Sequence, residues 1–443
     1  MANLMDTIAA VATPPGVGGI GIIRVSGART EAIARAILGS LPEPRTATYR
    51  SFRNKAGQKI DSGLALYFPA PTSFTGEAVL EIHGHGGPLV QSLMLDAILE
   101  LDVRRALPGE FSQRAFLNGK LDLVQAEAIA DLISAGTTQA ARAALRSLSG
   151  AFSKAIDTLA EQLTRLRMHV EAAIDFPEEE VDFLSDELLL KRLKECDEAF
   201  SLLQKQAQQG CVLRDGFQVI IIGKPNVGKS SLLNHLSGQD TAIVTDVAGT
   251  TRDILREQID IDGLGVELVD TAGLRDNPDR VEAEGIRRAH QALQTADAVL
   301  FVQDITDLES QLIVEDLPDD VPIIRVQNKL DLCETRPNVD QNIVQTSVMT
   351  GEGISELRQH IRKIAGYENQ GEGAFTARRR HLNALERAAL HFSSGSKALD
   401  EGLAGELLAE ELRLSQQALG EITGAFSSDD LLGRIFSEFC IGK

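Results

Sequence analysis

The chain contains no tryptophan, and aromatic residues make up only 4% of it. That argues against a platform on which successive nucleic-acid bases stack. Basic residues are outnumbered, with 44 Lys and Arg against 64 Asp and Glu and a formal charge of -20. A protein that coats nucleic acid carries the opposite balance, so any RNA contact must use a local basic patch or a basic partner. No run approaches the ~20 apolar residues of a membrane span. The first residues lack a basic region ahead of their apolar stretch, so no signal peptide is expected. Cysteine is scarce. Cys196, Cys211, Cys333 and Cys440 lie far apart without metal-ligand spacing, which suits a reducing cytosol. Apolar residues are plentiful at 43% of 443 positions, enough for about two to four domain cores.

The stretch around which the chain is organised is GKPNVGKS, Gly223 to Ser230. It fits the G-x-x-x-x-G-K-[ST] phosphate-binding pattern. Apolar Phe217 to Ile222 reads as a buried strand before it, and SSLLNHLSG reads as a helix after it. Gly223 and Gly228 let the backbone fold round a phosphate without a Cβ in the way. Backbone N–H groups of Asn226, Val227, Gly228 and Ser231 then face the anion. Lys229 would reach the β- and γ-phosphates, and the Ser230 hydroxyl would hold Mg²⁺.

Three further motifs follow in order. Asp270-Thr271-Ala272-Gly273 ends an apolar run and puts a carboxylate near the metal and a glycine N–H near the γ-phosphate. Asn328-Lys329-Leu330-Asp331 ends another. Asp331 can accept two hydrogen bonds from guanine N1–H and N2–H, which adenine cannot supply, so the nucleotide is GTP. Between the first two motifs, Thr245-Asp246-Val247-Ala248 leads into Gly249-Thr250-Thr251-Arg252-Asp253. There Thr251 could add a second hydroxyl to Mg²⁺, making the loop a switch. Ser347-Val348-Met349 stands where GTPases usually have Ser-Ala-Lys against the base. One position departs from the Ras-like pattern. Leu274 follows Gly273 where a water-orienting Gln is expected, and Leu cannot polarise water. Arg275, Glu282, Arg252 and a potassium ion beside the neutral oxygen of Asn226 are the candidates for the missing group.

The surrounding chain reads as multidomain α/β. Residues 1–118 form a mixed α+β domain, with strands at Ile20 to Val25, Gly63 to Phe68 and Ala78 to Ile82. Arg24 and Glu81 are charges inside apolar strands, which need partners. His83-Gly84-His85-Gly86-Gly87 reads as a glycine-rich turn with incidental histidines rather than a metal site. Residues 119–214 are helical, with Ile156, Leu159, Leu163, Leu166, Val170 and Ile174 on one stripe and a later helix from Glu187 to about Gln208. Residues 215–366 hold five strands, near 217–222, 266–270, 298–302, 322–327 and 343–345, in a doubly wound, mostly parallel sheet. Residues 367–443 return to helix, with a stripe of Leu408, Leu412, Ser415, Leu419 and Ile422. Arg378 to Arg380 read as helix-surface charge in the first place, with an RNA or partner contact as the alternative. The two helical blocks are expected to fold together, making the GTPase an insertion.

The motifs GHGGP, PGEFSQRAFLNGKLDL, AAIDFPEEE, GKPNVGKS, TDVAGTTRD, DTAGLR, NKLD and LLGRIFSEFCIGK together resemble the MnmE (TrmE) family of tRNA-modification GTPases, over the whole chain. The resemblance implies a folate-binding N-terminal domain that dimerises, a discontinuous helical domain and an inserted GTPase. With an FAD-containing MnmG (GidA) partner in a heterotetramer, such a homodimer installs an aminomethyl or carboxymethylaminomethyl group at C5 of the wobble uridine of certain tRNAs. A folate such as 5-formyltetrahydrofolate supplies the carbon. By the same resemblance, potassium is held by Asn226, Thr245, Val247 and Thr250, magnesium by Ser230 and Thr251, and Glu282 orients water. Arg24, Glu81, Lys120 and Lys443 match folate-holding positions, and Cys440 matches a tail cysteine able to act as a nucleophile. Val17 stands where the family commonly shows Arg. Two other functions compete: a regulatory GTPase of the ribosome-assembly kind, and a folate-dependent enzyme whose GTPase is secondary.

Overall fold

A computed structural model describes residues 6–175, 187–224, 226–237, 255–270, 296–307, 321–333, 336, 340, 343–367, 373–400, 405–426, 429–437, 439–440 and 442. The chain divides into two compact units. Unit 1 gathers residues 1–130, 148–196 and 387–443, and unit 2 gathers residues 131–147 and 197–386.

In unit 1, β1 (Ile8–Val11), β2 (Gly18–Ser26), β3 (Thr48–Arg53), β4 (Lys59–Phe68), β5 (Val79–Gly86) and β6 (Arg104–Arg105) form one sheet. Its order is β3-β4-β5-β2-β1-β6. Alternation sorts the side chains, because successive residues of a strand point to opposite faces. Ile23, Val25, Leu80 and Ile82 face α1 (Thr30–Leu38) and α2 (Pro88–Leu99) in one core. Arg24 and Glu81, directly opposite each other in the β2–β5 register, fall on the other face.

The expected turn at His83 to Gly87 is instead strand, since β5 runs on to Gly86. Its glycines serve close packing rather than bending. A Cβ on Gly84 would lie 2.5 Å from Asp61 Oδ2, and one on Gly86 2.5 Å from the Gly18 carbonyl oxygen. Gly in a strand marks this kind of close approach.

The helices of unit 1 pack by their stripes. In α6 (Ala151–Asp175), Ile156, Leu159, Leu163, Leu166 and Val170 are all buried. The other helices described, in both units, are α3 (Glu110–Leu117), α4 (Leu123–Ser134), α5 (Thr138–Leu148), α7 (Glu187–Asp215), α8 (Lys229–Ser237), α9 (Ile354–Ile364), α10 (Arg379–Asp400), α11 (Gly405–Thr423) and α12 (Asp429–Ser437). The α11 stripe Leu408, Leu412, Ser415, Leu419 and Ile422 is buried throughout and packs with α6. Each fully buried Leu there contributes about 2 kcal/mol. Ser415, the one polar member, donates its hydroxyl to the Ala388 carbonyl at 2.8 Å. The helix expected to stop near Gln208 runs to Asp215, because Leu213 joins the GTPase-side core.

In unit 2, β7 (Phe217–Ile222), β8 (Leu255–Ile261), β9 (Leu264–Asp270), β10 (Ala298–Asp304), β11 (Ile323–Asn328) and β12 (Ile343–Gln345) form a second sheet, ordered β12-β11-β10-β7-β9-β8. All pairs are parallel except β8–β9. One face packs Val219, Ile221, Leu268 and Leu300 against Leu232, Leu236, Leu357 and Ile361. The other buries Ile220, Ile222, Val269, Val299 and Phe301. Burial on both faces is why these strands read as continuous apolar runs.

The edge strand β8 adds a sixth strand to the five expected. Its hairpin turns on Asp262 (φ 53) and Gly263 (φ 94), both left-handed as a two-residue hairpin of the I′ type demands. The tip is seated. Thr137 Oγ1 donates to the Gly263 carbonyl at 3.3 Å, and Asp262 pairs with Arg362 at 3.0 Å. Nearby, buried Asp131 accepts from Arg214 Nε at 2.9 Å and Arg378 Nη2 at 2.7 Å. Arg378 is thus an interior ion-pair residue, not the surface charge expected of it, because a buried carboxylate needs paired cations.

Candidate functional site

The carboxyl ends of the parallel strands in unit 2 bring the nucleotide motifs together. β7 lies between β10 and β9, so the connections diverge to either side of it. That reversal point is where open α/β sheets bind ligands. The phosphate loop leaves β7, Asp270 ends β9, Asp304 ends β10, Asn328 ends β11, and Ser347 follows β12.

The loop itself needs its glycines. Gly223 has φ 154 and Gly228 φ 98, and Asn226 is left-handed at φ 64. A Cβ on Gly223 would lie 2.2 Å from the Val302 carbonyl oxygen, and one on Gly228 2.3 Å from Asn328 Nδ2. Lys229 Nζ donates to the carbonyls of Gly223 (2.9 Å) and Lys224 (2.8 Å), so the cation spans the loop that would wrap a phosphate. Ser230 and Ser231 are exposed in the first turn of α8, where backbone N–H groups point outward.

Asn328 locks the phosphate loop to the base loop. Its Nδ2 donates to the Val227 carbonyl at 2.9 Å, and its Oδ1 accepts from Thr346 Oγ1 and the Val348 N–H at 3.3 Å each. Ser347 Oγ donates to Asp331 and accepts from the Thr350 N–H at 3.2 Å. Asp331 is exposed and held by the Ser347 hydroxyl. Met349 is 86% exposed and Val348 is half-buried against the core.

Sequence reasoning missed Asp304. Burial alone would raise its pKa, but hydrogen bonds from Lys329 and Thr306 hold it down at about 2. Its signal was available: an acid closing an apolar strand, as Asp270 and Asn328 close theirs.

The expected residues Thr245, Asp246, Val247, Ala248, Gly249, Thr250, Thr251, Arg252, Thr271, Ala272, Gly273, Arg275, Glu282 and Lys443 lie outside the described residues, as does the side chain of Asp270.

A second polar cluster sits on the outer face of the unit 1 sheet. Arg24 Nε and Nη2 both reach Glu81 Oε1 at 2.9 Å. Its Nη1 donates to the Gly442 carbonyl at 3.4 Å. The guanidinium lies 5.5 Å from the Phe74 ring and 5.6 Å from Phe111, close enough for cation–π attraction. Glu81 Oε2 meets His83 Nε2 at 3.3 Å. The tail reaches this cluster through its backbone. A Cβ on Gly442 (φ 94) would lie 2.3 Å from the Val11 carbonyl oxygen, and the Cys440 carbonyl accepts from the Gly109 N–H at 3.4 Å.

Cys440 is exposed. Lys120 is exposed too, and among the described residues its side chain has no bond to Arg24 or Glu81. Phe74, Phe111 and His83 carried no sequence signal for membership, since each contacts the cluster only through the fold. Among the described residues no group of three or more His, Cys, Asp and Glu could hold a metal ion, and no helix is long and apolar enough to cross a membrane.

Comparison with known proteins covers nearly the whole chain. Residues 7–120 match the family model of the GTP-binding protein TrmE N-terminus, and residues 123–440 that of the MnmE helical domain. The tRNA modification GTPase MnmE of Erwinia tasmaniensis is 54% identical over 453 residues, covering 100% of both chains. That of Pectobacterium carotovorum subsp. carotovorum is 55% identical over 450 residues, covering 99% of both. Among solved structures, the G domain of the T. maritima FeoB iron transporter covers 34% of this chain and 98% of its own, at 26% identity and a TM-score of 0.26. At more than half identity over its full length, the chain belongs to the MnmE family of tRNA modification GTPases.

Proposed function

We propose that the chain is a potassium-dependent GTPase of the cytoplasm whose hydrolysis controls tRNA modification. The observation that carries this reading is the gathering of the phosphate loop, Asp270, the Asn328–Asp331 loop and Ser347 at one edge of a single sheet. Kinship to relatives named tRNA modification GTPase MnmE supplies the modification. The four-part division at 1–118, 119–214, 215–366 and 367–443 belongs to the same proposal.

Ser230, an exposed hydroxyl at a helix N-terminus, suits a hard cation beside phosphate, with Thr251 as its second hydroxyl. A magnesium ion held there would neutralise phosphate charge. Asn226, left-handed and exposed, suits potassium together with Thr245, Val247 and Thr250. That charge takes the place of an arginine finger, and Glu282 orients the water that Leu274 cannot. Arg275 and Arg252 are the reserve groups.

In unit 1, Arg24 and Glu81 with the tail carbonyl offer both donors and acceptors, the chemistry a folate's pterin and glutamyl groups need. Lys120 and Lys443 add cations. Exposed Cys440 suits a nucleophile. The chain acts as a homodimer, with an FAD-containing MnmG subunit completing the wobble-uridine modification and carrying much of the basic tRNA surface.

GTP hydrolysis in KCl against NaCl at equal ionic strength tests the core of this. Faster turnover in potassium, lost in Glu282→Ala, is expected. Equal rates in both salts would remove potassium and return Arg275 and Arg252 to consideration. Binding of 5-formyltetrahydrofolate, lost in Arg24→Ala, tests the second cluster separately.

A further inference from the structure

The turn that follows β10 has no role in any nucleotide motif, yet it touches the nucleotide loops. Asp304 and Asn328 are register partners at the ends of β10 and β11. The Ile305 N–H donates to the Asn328 carbonyl at 3.0 Å, and the Asp307 N–H donates back to the Asp304 carbonyl at 3.0 Å. The Asp304 carboxylate is fixed on one side. Its Oδ1 accepts from the Thr306 N–H at 2.9 Å and the Thr306 hydroxyl at 2.7 Å. That leaves Oδ2, which takes Lys329 Nζ at 2.6 Å. The pair is mostly sheltered, at 33% side-chain exposure for Lys329 and 17% for Asp304.

Lys329 has φ 71 and ψ 38, a left-handed conformation that non-glycine residues adopt only when their surroundings compel it. Two residues on, Asp331 is the acceptor for the guanine edge. The direction in which Asp331 points depends on Ser347, which bonds its carboxylate, and on how firmly the Lys329 turn is held; the side-chain tether on Lys329 is Asp304.

We propose that Asp304 is a positioning residue for guanine specificity: by anchoring Lys329 it fixes the left-handed turn that presents Asp331 to the base. This rests on GTP binding in unit 2 and goes beyond it. Asp304 acts here through Lys329 alone. A second ion pair, Lys224 with Asp307 at 3.1 Å, reaches from the same turn to the phosphate loop, but both its side chains are well exposed and a pair of that kind contributes little.

The test uses the full chain, with GDP and inosine diphosphate as probes. Inosine diphosphate lacks the 2-amino group, so the ratio of the two dissociation constants reports how well Asp331 is aimed. In Asp304→Asn, GDP binding should weaken by about 10-fold, the scale of a hydrogen bond to a charged group, and the preference for GDP over inosine diphosphate should shrink. Lys329→Met should weaken GDP similarly, and the double variant should be no worse than Lys329→Met alone, because Asp304 acts through that lysine. An unchanged ratio in Asp304→Asn would overturn the proposal, as would additive losses in the double variant. Should Asp304→Asn fail to fold, Lys329→Met with an unchanged base preference would overturn it equally. Absence of GDP binding to the unaltered protein would instead strike at the GTPase reading.

Discussion

The nucleotide site of unit 2 and the Arg24 cluster of unit 1 are built in opposite ways. The first uses backbone at the ends of successive strands, so each part is a short run of adjacent residues. The second uses side chains, drawn from β2, β5, the loop at Phe74, α3 and a tail carbonyl that lies 418 positions from Arg24. A phosphate needs many N–H groups at close range, and only consecutive residues of one loop can supply them. A charged pair on a sheet face needs only cross-strand register, which leaves no local pattern.

That contrast is open to direct attack. The largest effect is expected from Lys229→Ala, which removes the cation spanning the phosphate loop. GTP kcat/KM should fall about 100-fold or more while unit 1 unfolds at its usual urea concentration. A loss of only a few-fold would mean the loop does not do its work through this side chain.

The mirror experiment is Arg114→Met. Arg114 is 1% exposed and pairs with Asp6 (2.7 Å), Glu110 (3.0 Å) and Glu77 (3.1 Å). Removing one partner of a buried ionic cluster costs about 3 kcal/mol. Urea unfolding should show unit 1 weakened by that amount, with GDP affinity in unit 2 kept. Weakened GDP binding would show that the two sites are not separable.

Acid sharpens the same difference. Burial works to raise the pKa values of Asp6 and Glu110, but hydrogen bonds from Arg104 and Arg114 outweigh it, and both end below their ordinary values. Their folded-state values are thus lower than the roughly 4 of an unfolded chain. The stability they confer is fully present above that pH and is lost as pH falls through the folded values. The urea midpoint of unit 1 should therefore drop as the pH is lowered past about 4, and it should drop less in Arg114→Met. Parallel curves for the two proteins would remove the cluster from the acid response.

The smallest effect belongs to Gly263→Ala at the tip of the β8–β9 hairpin. The left-handed φ of 94 and a Cβ placed 2.5 Å from Gln139 Cγ should cost unit 2 about 1 kcal/mol, read as a shift of its thermal midpoint. No shift would mean the tip has room to move.

Legibility in the sequence followed the same divide. Five parallel strands could be placed, and with them the phosphate loop and the Asn328 loop, because four of the apolar runs ended in Gly, Asp or Asn at the sheet edge. The edge strand β8 escaped because its buried apolar residues among those described are just Ile259 and Ile261, separated by polar Asp260 and preceded by Glu257 and Gln258. Yet Asp262-Gly263 is a strong hairpin signal, and it was there to be used. The run His83 to Gly87 misled because glycine serves two purposes, bending and close approach, and only the neighbouring strand decides between them. Arg378 misled because an arginine beside two others looks solvated, and its carboxylate partner, Asp131, lies 247 positions away. Arg24 and Glu81 could be flagged as charges needing partners; that they need each other is a matter of register.

The division of the chain also has a consequence for its birth. Unit 2 is complete once residue 386 has been made, but unit 1 needs residues 387–443 as well as the first 130. The buried stripe of α6, from Ile156 to Val170, leaves the ribosome long before the α11 stripe that covers it. Domains ordinarily fold as they emerge, N-terminal first. Here the middle of the chain can set while the opening stretch still waits with an uncovered apolar helix. The period of greatest exposure to misassembly is therefore the synthesis of the GTPase itself, and a chain halted just after unit 2 would carry a finished nucleotide site on an unfinished partner.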